Sequence, residues 1–404
     1  MIHRPIDSQI KKKIKRHIIH HPGHFYYIVP PAWEKYALAE LSQLTSSFKV
    51  LNQDLGGILI ESDLQTIMAL HIHLKLGIRF LWRIASFPCL SYKQLNRGIS
   101  TIKWEYYLGF PITLQINSAS ISSWLYSETK LKERVNAEIE CYYQDQFQYK
   151  FQQKGDNAVN LYIRMDHNRL NISLDLTGAP LYKRGWSKLK GRTPLRENII
   201  SAGFQFFKTR QYDMIIDPFC GGGTVLNELT GMISNRPPQR EFSFQTLPIG
   251  QFKANDSLTP PLSQSAPFIY YGGDISFNHL LISQQNLQES LSLSKIILCQ
   301  GNALDPLPLK TTHRRILIFT NPPYGWKLSN PSEANRLLLR FLQSKMESDC
   351  ETDAGFFFPP VKWLVPVTDR IIEFPYGGQR LAFYQIDNLK SKRERLKHVE
   401  PSTM

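Results

Sequence analysis

Short runs of alternating apolar and polar residues, separated by segments of helical period, fill the first part of the chain. Residues 25–30 predict a strand, and the pattern then predicts a helix that starts near Pro31 or Ala32. Residues 48–62 predict two strands around a Gly-Gly turn, and residues 63–87 predict a helix followed by a strand. This order of elements predicts an α+β domain with a small antiparallel sheet.

A second set of elements follows. Residues 111–120 predict a strand and residues 127–146 predict a helix. Two alternating runs within residues 160–178 then flank the sequence DHNR, and a turn between alternating runs is typical of a hairpin. We interpret this stretch as a second α+β unit.

Helices and strands alternate in the second half of the chain, after Leu176. This alternation predicts a doubly wound parallel sheet. Residues 233–268 interrupt it with a stretch rich in Pro, Ser and Gln that has no clear period, and we interpret this stretch as a long surface insertion. The predicted divisions are a basic N-terminal arm (1–24), an α+β region (25–177), an α/β domain (178–388) and a basic C-terminal tail (389–404).

Basic residues outnumber acidic ones, with 48 Lys and Arg against 34 Asp and Glu, a net charge of +14. This balance favours a polyanionic partner, most often nucleic acid, although a basic surface with no such partner gives the same count. The five cysteines form no C-x-x-C pair, which argues against a disulfide framework or a structural zinc site and fits the reducing cytoplasm. No run of 18 apolar residues is present and the first residues lack the apolar core of a signal peptide, so we expect no membrane span.

The sequence MIIDPFCGGGTVLNEL, residues 214–229, predicts a strand, a glycine-rich turn and a helix. Asp217 ends the strand, at the edge where open α/β sheets bind ligands. The pattern is neither a P-loop nor a G-x-G-x-x-G fingerprint, and no lysine follows that could contact phosphates. An acid beside glycines that permit close approach suits a cationic ligand such as S-adenosylmethionine, although a tight turn without a ligand can have the same residues.

The next two predicted strands also end in polar residues. Residues 268–276 place Asp274 at a strand end, where its carboxylate could accept hydrogen bonds from ribose hydroxyls or cap the following helix, a role that Ser276 could also take. Residues 295–308 place Asn302 after a third strand, where an amide could meet the exocyclic amine of adenine.

The apolar run RILIFT ends in the sequence NPPYG, and the two consecutive prolines have no N–H groups with which to continue a strand. The side-chain oxygen of Asn321 and the carbonyl of Pro322 are neighbouring acceptors that could hold both N–H groups of an aromatic amine. Tyr324 could stack on the base, and Pro322 and Pro323 would stiffen the loop before the substrate arrives. A strand end stiffened only for structural reasons is the alternative.

The motifs DPFCGGGT and NPPY together resemble the methionine-binding loop and the amine-methylating motif of class I S-adenosylmethionine-dependent methyltransferases. Residues 178–202, which include KRGW and PLRE, resemble the joining stretch of RNA guanine methyltransferases with an N-terminal THUMP domain, and GGQRLAFYQI resembles their closing strand. The likeness runs from about Tyr26 to Ile386. Within the family, it is greatest to the bacterial enzymes that act on the 2-amino group of a guanine in large-subunit (23S) ribosomal RNA.

The resemblance implies a Rossmann-like class I methyltransferase domain preceded by a ferredoxin-like and THUMP RNA-binding region. Many relatives have an aspartate in place of Asn302, so we expect a weaker but working contact to adenine there. Some relatives carry a second methyltransferase domain, and we expect that second activity to be absent from a chain ending at Met404. The implied cofactor-binding residues are Asp217, Phe219, Gly221 and Gly223 around the methionine, Asp274 at the ribose, Ile275 against adenine, and Asn302 and Ala303 beside the adenine amine. The implied catalytic residues are Asn321, Pro322, Pro323 and Tyr324.

The predicted reaction is direct, in-line transfer of a methyl group from the sulfonium to the guanine amine, without a covalent enzyme intermediate or a metal. The target base has to be unpaired or flipped to reach the site. The expected partner of this cytoplasmic, monomeric protein is 23S ribosomal RNA or, as the alternative, transfer RNA, bound by the basic N-terminal half. Candidate RNA contacts there are Lys103, Trp104, Lys130, Lys132 and Arg134, although a solvated helix face explains the last three equally well.

Two other classes share part of this pattern. A DNA adenine-amine methyltransferase would carry both motifs but would not be expected to carry two α+β units ahead of them. A non-catalytic RNA-binding factor with a relic cofactor site would bind RNA but transfer no methyl group, and the complete NPPYG and GGG sequences argue against it.

Overall fold

The computed structural model describes residues 8–110, 113–149, 158–189, 195–254, 258, 269–306, 315–324, 330–346 and 350–399. The chain forms two compact units. Unit 1 takes its described residues from Met1–Val29, Leu38–Leu181 and Arg240–Thr259, and unit 2 takes its own from Pro30–Ala37, Tyr182–Gln239 and Pro260–Met404.

Unit 1 is built on one seven-stranded sheet in the order β2-β3-β1-β4-β7-β6-β5. All neighbouring strands are antiparallel except β5 and β6, which are parallel because helix α5 carries the chain back between them. The strands are β1 Gly23–Ile28, β2 Phe48–Asp54, β3 Gly57–Ser62, β4 Arg79–Pro88, β5 Leu114–Ile121, β6 Val159–Asp166 and β7 Arg169–Asp175. The helices are α1 Ser8–Ile14, α2 Glu34–Leu44 (which begins in unit 2), α3 Leu64–His73, α4 Tyr92–Ser100 and α5 Glu128–Phe147.

The two hairpins predicted in this half of the chain are confirmed. Gly56 turns the chain between β2 and β3 with φ +85°, and His167 and Asn168 join β6 to β7 with φ +46° and +61°. Two successive residues of positive φ are typical of a tight hairpin turn, in which asparagine is favoured.

The two α+β units predicted in this half do not have a sheet each, since β1 to β7 form one seven-stranded sheet. Strand β4 joins them, because it pairs with β1 over Arg79–Arg83 and with β7 over Leu81–Pro88. Strand β4 has ten residues and has a hydrogen-bonded neighbour along each of its edges.

The interpretation of residues 233–268 as a surface insertion is wrong for residues 242–249. Phe242, Phe244 and Ile249 are buried, and the first two pack edge-on against His71 of helix α3, with ring centroids 5.2 and 5.1 Å apart. The backbone of Phe244 also donates to the carbonyl of Leu176. These apolar residues have no regular period because they enter the core from two short 3₁₀ turns. Residues 255–257 and 259–268 lie outside the described part.

The N-terminal arm is helical from Ser8 and continues through one π-helical turn to Ile19. Ile14, Ile18 and Ile19 are buried while the basic residues between them are exposed, so one face of this helix packs on unit 1. Trp104, a candidate RNA contact, is fully buried and cannot touch RNA. In the described part of the chain, no helix combines the length and the apolar character needed to cross a membrane.

Unit 2 is also built on a seven-stranded sheet, in the order β10-β9-β8-β11-β12-β14-β13. Strands β8, β9, β10, β11 and β12 are parallel to one another, and β14 runs antiparallel to both of its neighbours. This mostly parallel sheet confirms the predicted α/β fold. Its strands are β8 Met214–Asp217, β9 Ile269–Asp274, β10 Ile296–Gln300, β11 Arg315–Thr320, β12 Glu351–Phe358, β13 Arg370–Tyr376 and β14 Gln379–Ile386. Its helices are α6 Glu197–Phe204, α7 Thr224–Ile233, α8 Phe277–Asn286, α9 Gln288–Leu293, α10 Pro331–Lys345 and α11 Arg393–Lys397.

Candidate active site

The candidate site lies at the carboxyl edge of the parallel strands in unit 2. The chain builds β8, β9 and β10 outward in one direction and then returns to the other side of β8 as β11. The strand order therefore reverses between β8 and β11, and ligands of open α/β sheets bind at such a point. Asp217 ends β8 and Asn321 follows β11, so the two predicted motifs meet there.

A buried hydrogen bond connects these two strand ends. The hydroxyl of Thr320 donates to Oδ1 of Asp217 at 2.6 Å, and the backbone N–H of Phe219 donates to the same oxygen at 3.3 Å. Asp217 and Thr320 are both buried. Sequence reasoning did not identify Thr320, and its only signal is its place directly before Asn321.

The glycine-rich turn has one closed side and one open side. Gly221 and Gly223 adopt φ +52° and +77°. A Cβ atom on Gly223 would lie 3.2 Å from the side chains of Leu287 and Ser283, whereas a Cβ on Gly221 would meet no atom within 4 Å. Gly223 is therefore needed for packing, and Gly221 faces open space that a ligand could fill.

Two side chains of helix α8 hold the carbonyl groups of this turn. The hydroxyl of Ser283 donates to the carbonyl of Gly221 at 2.6 Å, and the amide of Asn286 donates to the carbonyl of Gly222 at 2.9 Å. Within the turn itself, the N–H of Gly223 donates to the carbonyl of Cys220 at 2.8 Å. Ser283 and Asn286 are three residues apart, and the sequence alone does not indicate which face of the helix they occupy.

Asp274 is placed at the end of β9, as predicted, and its carboxylate binds the neighbouring turn. Oδ2 accepts the N–H of Gly221 at 2.9 Å, and Oδ1 accepts the N–H of Ser276 at 2.9 Å and Nδ1 of His279 at 3.1 Å. Ser276, rather than Asp274, caps helix α8, because its hydroxyl accepts the N–H of His279. The carboxylate retains 12% exposure, so it can still accept a hydrogen bond from a ligand.

Ile275, Asn302 and Ala303 lie beyond the ends of β9 and β10, which pair up to Asp274 and Gln300. The side chain of Ile275 is largely exposed, at 73%. Oδ1 of Asn302 accepts the N–H of Leu304 at 3.0 Å, so this oxygen already stabilises its own loop. Ala303 is half-buried against the apolar cluster that contains Phe341, as is Phe219 of the glycine-rich turn.

Asn321, Pro322, Pro323 and Tyr324 follow β11 without regular structure, and Gly325 lies outside the described residues. Oδ1 of Asn321 is buried and accepts no hydrogen bond from any described residue. Tyr324 packs edge-on against Phe358, with centroids 5.9 Å apart. Burial and, to a smaller extent, the nearby Tyr376 raise the pKa of the Tyr324 hydroxyl, so the phenol stays neutral.

A buried ion pair supports helix α7 behind the glycine-rich turn. The guanidinium of Arg184 forms a bidentate contact with Glu228, with Nη2 2.6 Å from Oε1, and both side chains are almost completely buried. The hydroxyl of Ser201 also donates to Glu228. Trp186 fits against Gly231 of α7, where a Cβ would lie 2.4 Å from its ring. The KRGW stretch thus fixes the helix that begins at the turn, while Pro194 lies outside the described residues.

The donor set of the site suits an adenosyl cofactor with an amino acid part. The open side of Gly221, the partly exposed Asp274 carboxylate and the exposed Ile275 offer close backbone approach, an acceptor for hydroxyls and an apolar surface. Oδ1 of Asn321 offers a buried acceptor for an N–H group. Among the described residues, no cluster of three or more His, Cys, Asp or Glu side chains is arranged to hold a metal ion.

Comparison with known proteins gives a family model, a curated relative and solved structures. Residues 184–358 match the model described as an RMKL-like methyltransferase domain. The protein from Psychromonas ingrahamii named "Ribosomal RNA large subunit methyltransferase K/L" is 25% identical over 76% of this chain and 42% of its own length. The chain thus spans less than half the length of the curated relatives it matches.

Two solved structures share the fold over most of the chain. One, from Clostridium difficile 630 and described as a possible methylase, has a TM-score of 0.74 at 21% identity and covers 91% of this chain and 98% of its own. The other, SMU.472, described as a methyltransferase complexed with SAH, has a TM-score of 0.73 at 19% identity, with the same coverage. These similarities show the fold of both halves of the chain.

Proposed function

We propose that the chain transfers a methyl group from S-adenosylmethionine to the exocyclic 2-amino group of a guanine in RNA, since residues 184–358 match the model of an RMKL-like methyltransferase domain. The single observation that carries this proposal is the buried Oδ1 of Asn321, which has no hydrogen-bond partner among the described residues. A buried acceptor left without a partner is costly, and a substrate N–H group would satisfy it.

Asn321 and the Pro322 carbonyl hold the amine, and Tyr324 packs against the base. An amide oxygen accepts a hydrogen bond without taking up the proton, so Asn321 orients the amine and does not act as a general base. The sulfonium leaves as the neutral thioether, and the proton that the methylated nitrogen loses passes to water. The prolines on either side of this carbonyl keep the acceptors in place before substrate binds, which is electrostatic preorganisation. The neutral phenol of Tyr324 adds a ring face without placing a negative charge beside RNA.

The glycine-rich turn, Asp274 and the loop after β10 hold the cofactor. Bound S-adenosylmethionine supplies an electrophilic methyl group on a sulfonium. Gly221 allows its close approach, Asp274 accepts from the ribose hydroxyls and Ile275 covers the adenine. The remaining contacts that we assign to it are Asp217, Phe219 and Gly223 around the methionine, and Asn302 and Ala303 beside the adenine amine.

The substrate that we propose is ribosomal RNA of the large subunit, which is named in the curated relatives. Residues 178–388 carry the transfer. Residues 25–177, as a ferredoxin-like and THUMP region, hold the RNA in a cytoplasmic, monomeric enzyme. The net charge of +14 supports a polyanionic partner. Transfer RNA is the alternative substrate, with the same chemistry.

Methyl incorporation tests the proposal. The purified chain is incubated with radiolabelled S-adenosylmethionine and unmodified large-subunit ribosomal RNA or transfer RNA, and the product nucleosides are identified. We expect N(2)-methylguanosine in the ribosomal RNA. If N(2)-methylguanosine forms only in transfer RNA, the substrate is the alternative, transfer RNA. Methyladenosine in either RNA would refute the assignment of guanine as the target base.

Asn321→Ala tests the observation that carries the proposal. We expect kcat to fall about 100-fold or more, the typical loss when one preorganised polar group is removed, with SAH and RNA affinity unchanged. The matched control is Asn330→Ala, since the side chain of Asn330 only caps helix α10 by accepting the N–H of Ser332 at 2.9 Å. Equal methyl-transfer rates for the two variants would refute the catalytic role of Asn321.

A further inference from the structure

One cavity of unit 1 has no part in the methyl-transfer site. It has a volume of about 1010 Å³ and is wide enough for a nucleotide. Its walls come from the second half of strand β4, from helix α4 with the turn that follows it, and from the basic N-terminal helix.

The floor of this cavity depends on a glycine. A Cβ atom on Gly98 of α4 would lie 2.3 Å from the ring of Phe87 on β4. Phe87 can therefore lie directly against the helix backbone, and its half-buried ring forms an apolar surface between the two elements. Any larger residue at position 98 would displace this ring.

The charge of the cavity is of one sign. Arg97 and Lys103 line it together with His17, and among the described residues that line it there is no Asp or Glu. The helix that contributes His17 is held down by Ile14 and Ile18, and it carries further exposed basic residues. These residues are Lys11, Lys12, Lys13, Lys15 and Arg16. Such a cluster attracts polyanions over a distance of about 10 Å at moderate salt.

Two aromatic rings in the cavity are parallel. The rings of His17 and Tyr106 have an interplanar angle of 2° with centroids 6.4 Å apart, and Tyr107 lies next to them. His17 is exposed, so its ring can move to admit another ring. Burial and the neighbouring Glu105 raise the pKa of Tyr106, so its phenol remains a neutral hydrogen-bond donor.

We propose that this cavity binds an unpaired nucleotide of the RNA substrate, with its base against Tyr106 and His17 and its phosphates beside Arg97 and Lys103. Planar ring faces together with cations are the chemistry by which proteins hold single-stranded nucleic acid. An acidic peptide would use the cations but not the parallel rings. The inference rests on the proposed function because it takes RNA as the substrate.

Binding of two RNA forms tests the proposal. The probes are an RNA hairpin with a single-stranded loop and a blunt duplex of the same stem sequence, and affinity is measured by fluorescence anisotropy on the full chain. For Tyr106→Leu we expect about tenfold weaker binding of the hairpin and unchanged binding of the duplex, since one base–aromatic contact is lost. Arg97→Gln should weaken hairpin binding and reduce the salt slope by about one, since one phosphate contact is lost.

The chain offers matched controls for both variants. Tyr126→Leu removes a tyrosine of unit 1 that is 81% exposed and does not line the cavity. Lys93→Gln removes an exposed charge on the same helix α4, also away from the cavity. Both controls should bind the hairpin as the unchanged chain does, and SAH affinity should be the same in all four variants.

Equal weakening of hairpin and duplex, or no weakening in either cavity variant, would overturn the inference. Methyl transfer by the unchanged chain is measured on the same preparation. If the unchanged chain transfers methyl groups but the cavity variants bind the hairpin as tightly as it does, the nucleotide site is refuted and the proposed reaction stands. If the unchanged chain transfers no methyl group but Tyr106→Leu binds the hairpin, and not the duplex, more weakly, the proposed reaction is refuted and the nucleotide site is supported.

Discussion

Asp274→Asn tests the cofactor assignment, because it keeps the shape of the side chain and removes its charge. The carboxylate now accepts three N–H groups, from Gly221, Ser276 and His279. An asparagine has a single acceptor oxygen, so its NH₂ group would face at least one of these donors. If that oxygen stays with Ser276 and His279, the contact to Gly221 is lost and the glycine-rich turn loosens.

The magnitude follows from the bonds to the ribose. A hydrogen bond to a charged acceptor contributes about 1.5–3 kcal/mol, so its loss should raise the dissociation constant of SAH about 10- to 150-fold. Isothermal titration calorimetry of the two proteins with SAH measures this change. An unchanged dissociation constant would refute the assignment of Asp274 to the ribose.

Two controls separate the ribose contact from the loosened turn. His279→Leu removes only an exposed neighbour of the carboxylate, and we expect SAH to bind it as tightly as the unchanged protein. An SAH analogue without the 2′ and 3′ hydroxyls cannot bond to Asp274, so Asp274→Asn should weaken its binding less than that of SAH, by the share of the loosened turn alone. Equal losses for SAH and this analogue would assign the effect to the turn alone.

Three further predictions concern the packing around the site and in unit 1. Arg184→Met leaves the Glu228 carboxylate buried without its cation, which should lower the free energy of unfolding by about 3–5 kcal/mol. In urea unfolding, the double variant Arg184→Met/Glu228→Gln should lose less stability than Arg184→Met, and equal losses would contradict the ion-pair argument. Burial, outweighing a hydrogen bond to the backbone of helix α3, lowers the pKa of His71 to about 3. Between pH 6.5 and pH 3 the unfolded chain therefore binds a proton at this histidine that the folded chain does not bind. The free energy of unfolding should fall by up to about 1.4 kcal/mol per pH unit as the pH drops through this range. A His71→Gln variant should lose that part of the pH dependence in urea titrations at pH 7 and pH 5, and an identical slope would refute it. Gly221→Ala and Gly223→Ala both strain a backbone of positive φ, but Gly223→Ala should lower the melting temperature more because its Cβ also meets Leu287. Gly221→Ala should weaken SAH binding more because its Cβ enters the ligand space. Calorimetric melting and titration distinguish the two, and equal behaviour in both measurements would contradict the difference between the two glycines.

Local chemistry was enough to predict many elements of the fold. The turns at Gly56 and at His167–Asn168 require positive φ, and the residues there tolerate it, so both hairpins were visible in the sequence. The alternation of strands and helices after Leu176 likewise predicted the parallel sheet. These signals act between residues close together in the chain.

The missing parts of the fold depend on contacts between distant residues. The pairing of β4 with β7 joins Leu81 to Asp175, and an alternating pattern does not indicate which strand lies on a given edge. The burial of Phe242 and Phe244 against His71 was missed for the same reason, since neither 3₁₀ turn has a long apolar period.

The candidate site shows the same division. The sequence predicted which residues end β8, β9 and β11, and the structure places them at one edge of one sheet. It did not predict the hydrogen bond from Thr320 to Asp217 or the support of the glycine-rich turn by Ser283, because both depend on how elements distant in the sequence pack together. Their roles in catalysis and cofactor binding remain predictions.

The segment Arg240–Thr259 has a consequence for the order in which the protein can mature during translation. Unit 1 contains this segment, yet the ribosome makes it only after strand β8 and helix α7 of unit 2 have been synthesised. A nascent chain that has reached Leu181 therefore still lacks Phe242, Phe244 and Ile249, and its α3 helix exposes the apolar surroundings of His71. Domains that are continuous in sequence can fold as they emerge. Here, the first half must wait for part of the second, so a fragment that stops at residue 181 should aggregate where one with residues 240–254 attached does not.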